Sequence, residues 1–265
     1  MSGELVRRDQ VAQVVAQLSE GGLDRATRGR LLGQLSRLLA GGAREAGARA
    51  TLTGRWLTEV VADLAPHVAV RDLATLRHHH LAADGTTPTT DELAEALVRT
   101  ASLATAGIGA AGGALAAAQH AAPPTLLAAP VLLAAETVAI VAVELKLVAE
   151  LHVVHGRAPL ASSGQVAAAY LTSWASRRPV DPRAELPGIG VVLGAAARRQ
   201  VQRRVARRAV RNLSTLAPLL VGAVAGAELN RRETRALGQI LTEQLRQHRA
   251  ETAPPASTGP RGQGR

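Results

Sequence analysis

No cysteine and no phenylalanine occur in this chain of 265 residues, and its aromatics are one tyrosine and two tryptophans. Without thiols there can be no disulfide, no thiolate nucleophile and no Cys-ligated zinc. The scarcity of rings removes the stacking platforms that single-stranded nucleic acid uses, and no helix-turn-helix pattern stands out, so no nucleic-acid partner is expected. It also dictates the core. A core without aromatics is assembled from Ala, Leu and Val, and such small side chains exclude voids only if helices approach closely. Lysine is almost missing too: of 31 basic residues only Lys146 is not arginine. Codon choice in a GC-rich genome accounts for that preference, so it says little about phosphate recognition. The N-terminus, "MSGELVRRDQ", carries charge and no apolar run, so a cleaved secretory signal is not expected.

What is present is apolar and helical. Hydrophobic residues make up 47% of the chain, which excludes general disorder. The length suits one large domain or two small ones. Apolar positions recur at helical spacing: Leu5, Val11, Val14, Val15 and Leu18, then Leu31, Leu32, Leu35, Leu38 and Leu39, with stops predicted at Gly21-Gly22 and Gly41-Gly42. Thr90 with Asp91 reads as the N-cap of "ELAEALVRTASLATAG". A long apolar helix is predicted from about Pro130 to His155, stopping at Gly156. No stretch reads as a strand. The predicted fold is all-α: a multi-helix Gly/Ala-packed bundle with a long central helix. An N-terminal helical region would cover 1–90, a helical core 91–250 and a disordered low-complexity tail 251–265, with the Pro-rich "PVDPRAELPG" as a subdomain boundary.

"GIGAAGGA", Gly107 to Ala114, contains G-x-G-x-x-G. A dinucleotide fingerprint needs a strand before the first glycine and an acid about 20 residues beyond it. The preceding "RTASLATA" favours helix, and the next acid, Glu136, sits inside the long apolar helix. No nucleotide or other cofactor is therefore expected. Instead Gly109 and Gly113, four apart, share a helix face on which another backbone can lie. The spacing recurs at Gly190/Gly194, Gly222/Gly226 and Gly29/Gly33.

Residues 126–143 contain one charge, Glu136, and nine Leu, Ile or Val. On an insertion scale these apolar residues contribute roughly −4 kcal/mol and a central acid returns roughly +3, so the balance is near zero. Segments 101–118 and 213–227 are respectively weakly hydrophobic and short. A buried core helix and a helix held at a bilayer both fit. Glu136, Lys146 and Glu150 mark a candidate buried polar site, with Lys146 and Glu150 spaced for an i, i+4 pair. His152 and His155 share a helix side near Glu150, and His78 to His80 run together, but no H-E-x-x-H and no third ligand accompany them, so no metal site is assigned. Neither G-x-S-x-G nor Ser-x-x-Lys occurs, and no catalytic residue is assigned.

Charge is divided unevenly. Residues 1–156 hold 13 basic and 15 acidic side chains, whereas 157–265 hold 18 and 6. Arg204, Arg207, Arg208 and Arg211 gather on one side of a helical wheel, opposite Val201, Val205, Ala209 and Leu213. Such a basic amphipathic helix suits anionic lipid headgroups, at about 1 kcal/mol per basic residue.

"GIGAAGGA" followed by "PVLLAAETVAIVAVELKLVAELHVVHG" resembles the centre of EcsC-family proteins, and "NLSTLAPLLVGAVAGAELNRRETRALGQ" is similar to the C-terminal part of actinobacterial members. The resemblance covers about residues 90–245. One departure is His155, where the family pattern has an aromatic before the glycine. The resemblance implies a membrane or membrane-associated protein, and it carries over no catalytic residue and no cofactor. The expectation is a non-enzymatic helical protein bound to anionic lipid at the cytoplasmic face of a membrane. The alternatives are a soluble protein-interaction module, or a hydrolase or metal enzyme built around Glu136, Glu150, His152 and His155.

Overall fold

The computed structural model describes residues 2–20, 22–52, 55–81, 85–120, 128–158, 163–180, 195–212 and 220–252. Among them are nine α-helices and one 3-10 turn, and no strand. The helices are α1 (Ser2–Leu18), α2 (Arg25–Leu52), α3 (Arg55–Leu64), α4 (Leu73–His79), α5 (Thr90–His120), α6 (Ala128–Val154), α7 (Ser163–Ser176), α8 (Ala195–Asn212) and α9 (Leu220–Thr252). The all-α class expected from the periodicity is what the chain adopts.

Helix α6 is the axis. From Val131 to Val154 every residue is buried except Leu133, Lys146 and Val153. A helix apolar on all sides has no face to turn to water, so it is wrapped. Helices α1, α2, α3, α5, α7, α8 and α9 all pack on it. Its C-terminus is closed by a Schellman turn: Gly156 takes φ +68°, its N–H donates to the Val153 carbonyl at 3.1 Å, and the Arg157 N–H donates to the His152 carbonyl at 2.7 Å. Gly156 ends the helix because it adopts the left-handed conformation without a Cβ clash.

The most extensive helix pair is α5 with α9. They run antiparallel: Arg246 meets Asp91, Gly238 meets Val98, Thr234 meets Thr105 and Gly226 meets Gly109. A Cβ on Gly238 would lie 2.5 Å from Val98 Cγ2, and one on Gly109 would lie 3.0 Å from the Gly226 carbonyl oxygen. The two backbones therefore touch where Gly109 meets Gly226, and Val98 fills the space over Gly238. One buried cluster runs from Val11 to Leu245, so the residues before 90 share their core with those after it.

Three boundaries differ from the sequence expectation. Helix α2 continues through Gly41-Gly42 to Leu52, because those glycines seat the guanidinium of Arg7 and the indole of Trp56 and so serve packing rather than termination. Helix α9 runs unbroken from Leu220 to Thr252, so the apolar segment read at 213–227 continues into it instead of ending at Ala227. Thr89, not Thr90, caps α5. Its hydroxyl accepts from the Glu92 N–H, and its own N–H donates to Glu92 Oε2 at 2.8 Å, a reciprocal box that needs the acid three residues on. The predicted tail beyond Thr252 and most of "PVDPRAELPG" lie outside the described residues.

Glycine at close contacts and glycine in the open should behave oppositely. Gly109→Ala drives a Cβ to 2.5 Å from Asn230 Nδ2 and should destabilise by about 2 kcal/mol. Gly29, helical in α2 with nothing within 4 Å of a Cβ, should gain about 0.5–1 kcal/mol as Ala. Urea unfolding followed by circular dichroism measures both.

Candidate functional site

Helix α6 carries three carboxylates into the interior: Glu136 and Glu144 are each 1% exposed and Glu150 is 3% exposed. Buried charge is tolerated only where it is hydrogen-bonded or paired, and each acid meets a different partner. Glu136 faces the glycine stretch. A Cβ on Gly112 would stand 2.7 Å from Glu136 Oε2, so the missing side chain is the space the carboxylate occupies. Asn230 of α9 donates from Nδ2 to Glu136 Oε1 at 3.3 Å. Asn230 can reach because it crosses α5 at Gly109.

Glu144, two turns on, is the centre of a second network. Trp174 Nε1 donates to its Oε2 at 2.8 Å, and the Thr234 hydroxyl to its Oε1 at 2.9 Å. Thr105 donates to Thr234 at 3.0 Å, and the carbonyls of Ser102 and Asn230 lie 3.1 and 3.4 Å from the same Thr105 hydroxyl. Two buried groups result: Asn230 on Glu136, and Thr105 through Thr234 on Glu144. Arg204 closes the outer end. Its Nη2 lies 3.8 Å from Glu144 Oε2, its guanidinium stacks 4.4 Å above the Trp174 ring, and its Nη1 donates to the Trp174 carbonyl.

Glu150 has a separate partner. Arg71, ahead of α4, grips it through Nε at 2.8 Å and Nη2 at 2.9 Å. The expected Lys146–Glu150 pair is not what forms, because a planar guanidinium forks onto both carboxylate oxygens whereas an ammonium offers one point charge. Lys146 is partly buried, and that burial lowers its pKa against the opposing pull of Glu150. Glu136 and Glu150 are about 21 Å apart along α6 at 1.5 Å per residue, so the three residues grouped from sequence are not one site.

The two histidines of the metal alternative differ in their bonding. His152 is fully buried; its Nε2 accepts from the Val180 N–H at 2.8 Å, and Nδ1 lies 2.6 Å from the Val148 carbonyl. Nδ1 therefore carries the proton, both nitrogens are committed, and neither can ligate. His155, 7% exposed, has no hydrogen-bond partner on either ring nitrogen. His78 and His79 are exposed in the last turn of α4. Among the described residues no three His, Asp or Glu gather as a metal cluster.

The basic helix also sits differently from its wheel. Val201 and Val205 are fully buried, which aims the opposite face, centred on Arg203, at solvent. Arg199, Arg203 and Arg207 are the exposed row. Arg204 lies about 80° from the buried centre at 100° per residue, and it turns inward to Glu144 instead of joining a lipid-facing surface. Arg199, Arg203 and Arg207 line a cleft of about 660 Å³ with Glu144, Arg177 and Glu233.

No family model, no curated protein and no solved structure matches this chain. Function is therefore read from the side chains. Of the residues singled out by sequence, Gly109 meets Gly226 and Gly113 is buried on α5. The Gly29/Gly33 pair makes no backbone contact: only Arg37 approaches Gly33, at 3.9 Å. Gly190 and Gly194 lie outside the described residues, and Gly222, Arg208 and Arg211 lie on helices at positions whose side-chain surroundings are not described. Sequence reasoning missed Glu144, Trp174, Asn230 and the buried Arg28, whose Nη1 donates to the Ala104 carbonyl at 2.8 Å beside Gly107. The available signal was three acids in one apolar helix.

Glu144→Ala strips Trp174, Thr234 and Arg204 of their shared acceptor and should cost about 3 kcal/mol, read by denaturant unfolding with tryptophan emission. Burial lowers the His152 pKa to about 4, from 6.5 in the unfolded chain. The stability it contributes is complete above pH 6.5 and is lost as pH falls toward 4, by about 3 kcal/mol in all. In an NMR titration one imidazole resonance should remain that of a neutral ring at pH 6.

Proposed function

We propose that the protein is a non-enzymatic, peripheral membrane protein that binds anionic lipid through the exposed arginine face of α8. The observation that carries this reading is the row Arg199, Arg203 and Arg207. All three are exposed, they repeat every four residues, and no acid forms an ion pair with any of them among the described residues. Guanidinium groups so placed attract phosphate-rich surfaces at about 1 kcal/mol each. Val201 and Val205 on the reverse side hold the helix against α6 and α7, so the basic face is presented from a fixed base.

Insertion of whole helices is the weaker form of the idea. By length and composition one described helix could cross a bilayer, Thr90–Ala117, with mean hydropathy 1.3 over an 18-residue stretch of it, and 56% of that stretch is buried inside the bundle. We read α5 as a core helix. Assignment to the EcsC-like proteins, and a place at the cytoplasmic membrane face, belong to the same proposal. A soluble interaction module is the second reading, and the near-complete burial of α6 favours it.

Sedimentation with phosphatidylglycerol-containing vesicles, against neutral phosphatidylcholine vesicles, tests the proposal. The wild-type chain should pellet with the acidic vesicles, less so as salt is raised. Arg199→Glu, Arg203→Glu and Arg207→Glu together should weaken binding about 100-fold. Equal pelleting with both vesicle types would overturn the reading.

A further inference from the structure

The arginine row is more than a charged surface, because four elements close a cleft around it. Helix α8 supplies Arg199, Arg203 and Arg207 along one wall. Helix α7 contributes Ala175, Ser176 and Arg177 at its end, α9 supplies Glu233, and Glu144 of α6 forms part of the lining. Arg177 is held in place. Its backbone takes φ +56°, and the Ser173 hydroxyl closes the turn onto the Arg178 carbonyl at 2.6 Å. Its guanidinium then reaches Glu233 at 3.2 Å. Arg204 is committed to Glu144 and Trp174. Of the five arginines lining the cleft, two are thus engaged by its two acids, and three cationic groups remain in a line.

The spacing of those three selects a ligand. Successive members are four residues apart, about 6 Å along the helix, and the row spans about 12 Å. A phosphate is bound best by guanidinium donors on both sides of it. Three such groups offer two gaps, offset by about 6 Å along the helix axis, with Arg203 shared between them. The packed helix fixes the points from which the three side chains start, so the backbone needs no ordering when a ligand binds.

We propose that this cleft binds a ligand carrying two phosphate groups joined by a short linker, with one phosphate between Arg199 and Arg203 and the other between Arg203 and Arg207. The inference deepens the membrane reading and rests on the same arginine face. The shared chemistry is a pair of phosphates on a three-carbon bridge, and it has two sources: a free bisphosphate, or a lipid headgroup built the same way.

The experiment uses the full chain and two arms. Calorimetry compares glycerol 1,3-bisphosphate with inorganic phosphate. Vesicle sedimentation compares cardiolipin with phosphatidylglycerol at matched surface charge. The bisphosphate should bind about tenfold more tightly than inorganic phosphate, since its second phosphate binds intramolecularly. Cardiolipin should be preferred over phosphatidylglycerol by a similar factor if the source is a lipid. Arg203→Gln, at an exposed position, should abolish the preference while leaving the circular dichroism spectrum unchanged. Glu233→Gln removes an acid from the cleft and releases Arg177, so it should tighten bisphosphate binding about threefold, a gain that misfolding cannot mimic. A preference in either arm that depends on Arg203 supports the site and names its source. Equal binding within both arms, or a preference that survives Arg203→Gln, overturns it. Charge-driven binding to all acidic vesicles without headgroup preference would end this proposal and leave the membrane reading standing. Bisphosphate binding without vesicle binding would do the reverse.

Discussion

A carboxylate inside an apolar bundle has to find a hydrogen-bond donor, and for Glu136 the donor arrives where a neighbouring helix has lost its side chains. Glu136 lies in the space left at Gly112, and Asn230 reaches it because α9 lies on α5 at Gly109. The rest of the interior follows from that crossing. Once Gly226 is set against Gly109, the antiparallel run of α9 brings Thr234 beside Thr105. Thr234 then meets Glu144, and Glu144 positions the Trp174 indole and the Arg204 guanidinium. A side chain at Gly109 would disturb the same α5–α9 interface that places Thr234 on Glu144.

Polar contacts of this kind suit a core without phenylalanine. Surfaces of Ala, Leu and Val slide past one another with little change in buried area, so apolar packing alone distinguishes registers poorly. A misplaced register here would leave Glu136, Glu144 or Arg28 buried without partners, at a cost far above that of a lost methyl contact. Gly107 shows the same device in reverse sign: a Cβ there would stand 2.8 Å from the Nε of Arg28, a cation seated where α5 is thin. At the other end of α6 the buried Glu150 is matched directly by Arg71.

Helix α8 joins interior to surface. Its valines face α6 and α7, Arg204 on the flank completes the buried network, and the row centred on Arg203 faces outward. One helix therefore connects the polar interior to the cleft. Its rigid backing separates this arrangement from a loose basic segment, whose charges would attract anions without selecting their spacing.

Much of this was legible in the chain itself. Helical periodicity, the absence of strand patterns and the failure of G-x-G-x-x-G to sit in a nucleotide context all follow from local spacing, and α5 does run through that motif as a helix. Glycine at Gly41-Gly42 misled because a glycine that ends a helix and one that receives a neighbour's side chain are the same residue, and only the neighbour tells them apart. Arg204 was grouped with its exposed neighbours because a wheel shows which residues share a face and not which face is buried. Local sequence determined the helices, the long apolar axis and the uneven charge, since these depend on residues a few positions apart. The tertiary fold decided which glycines receive a carboxylate, which arginine turns inward and which acid becomes the hub, because each depends on a partner from another helix, the farthest of them 90 positions away.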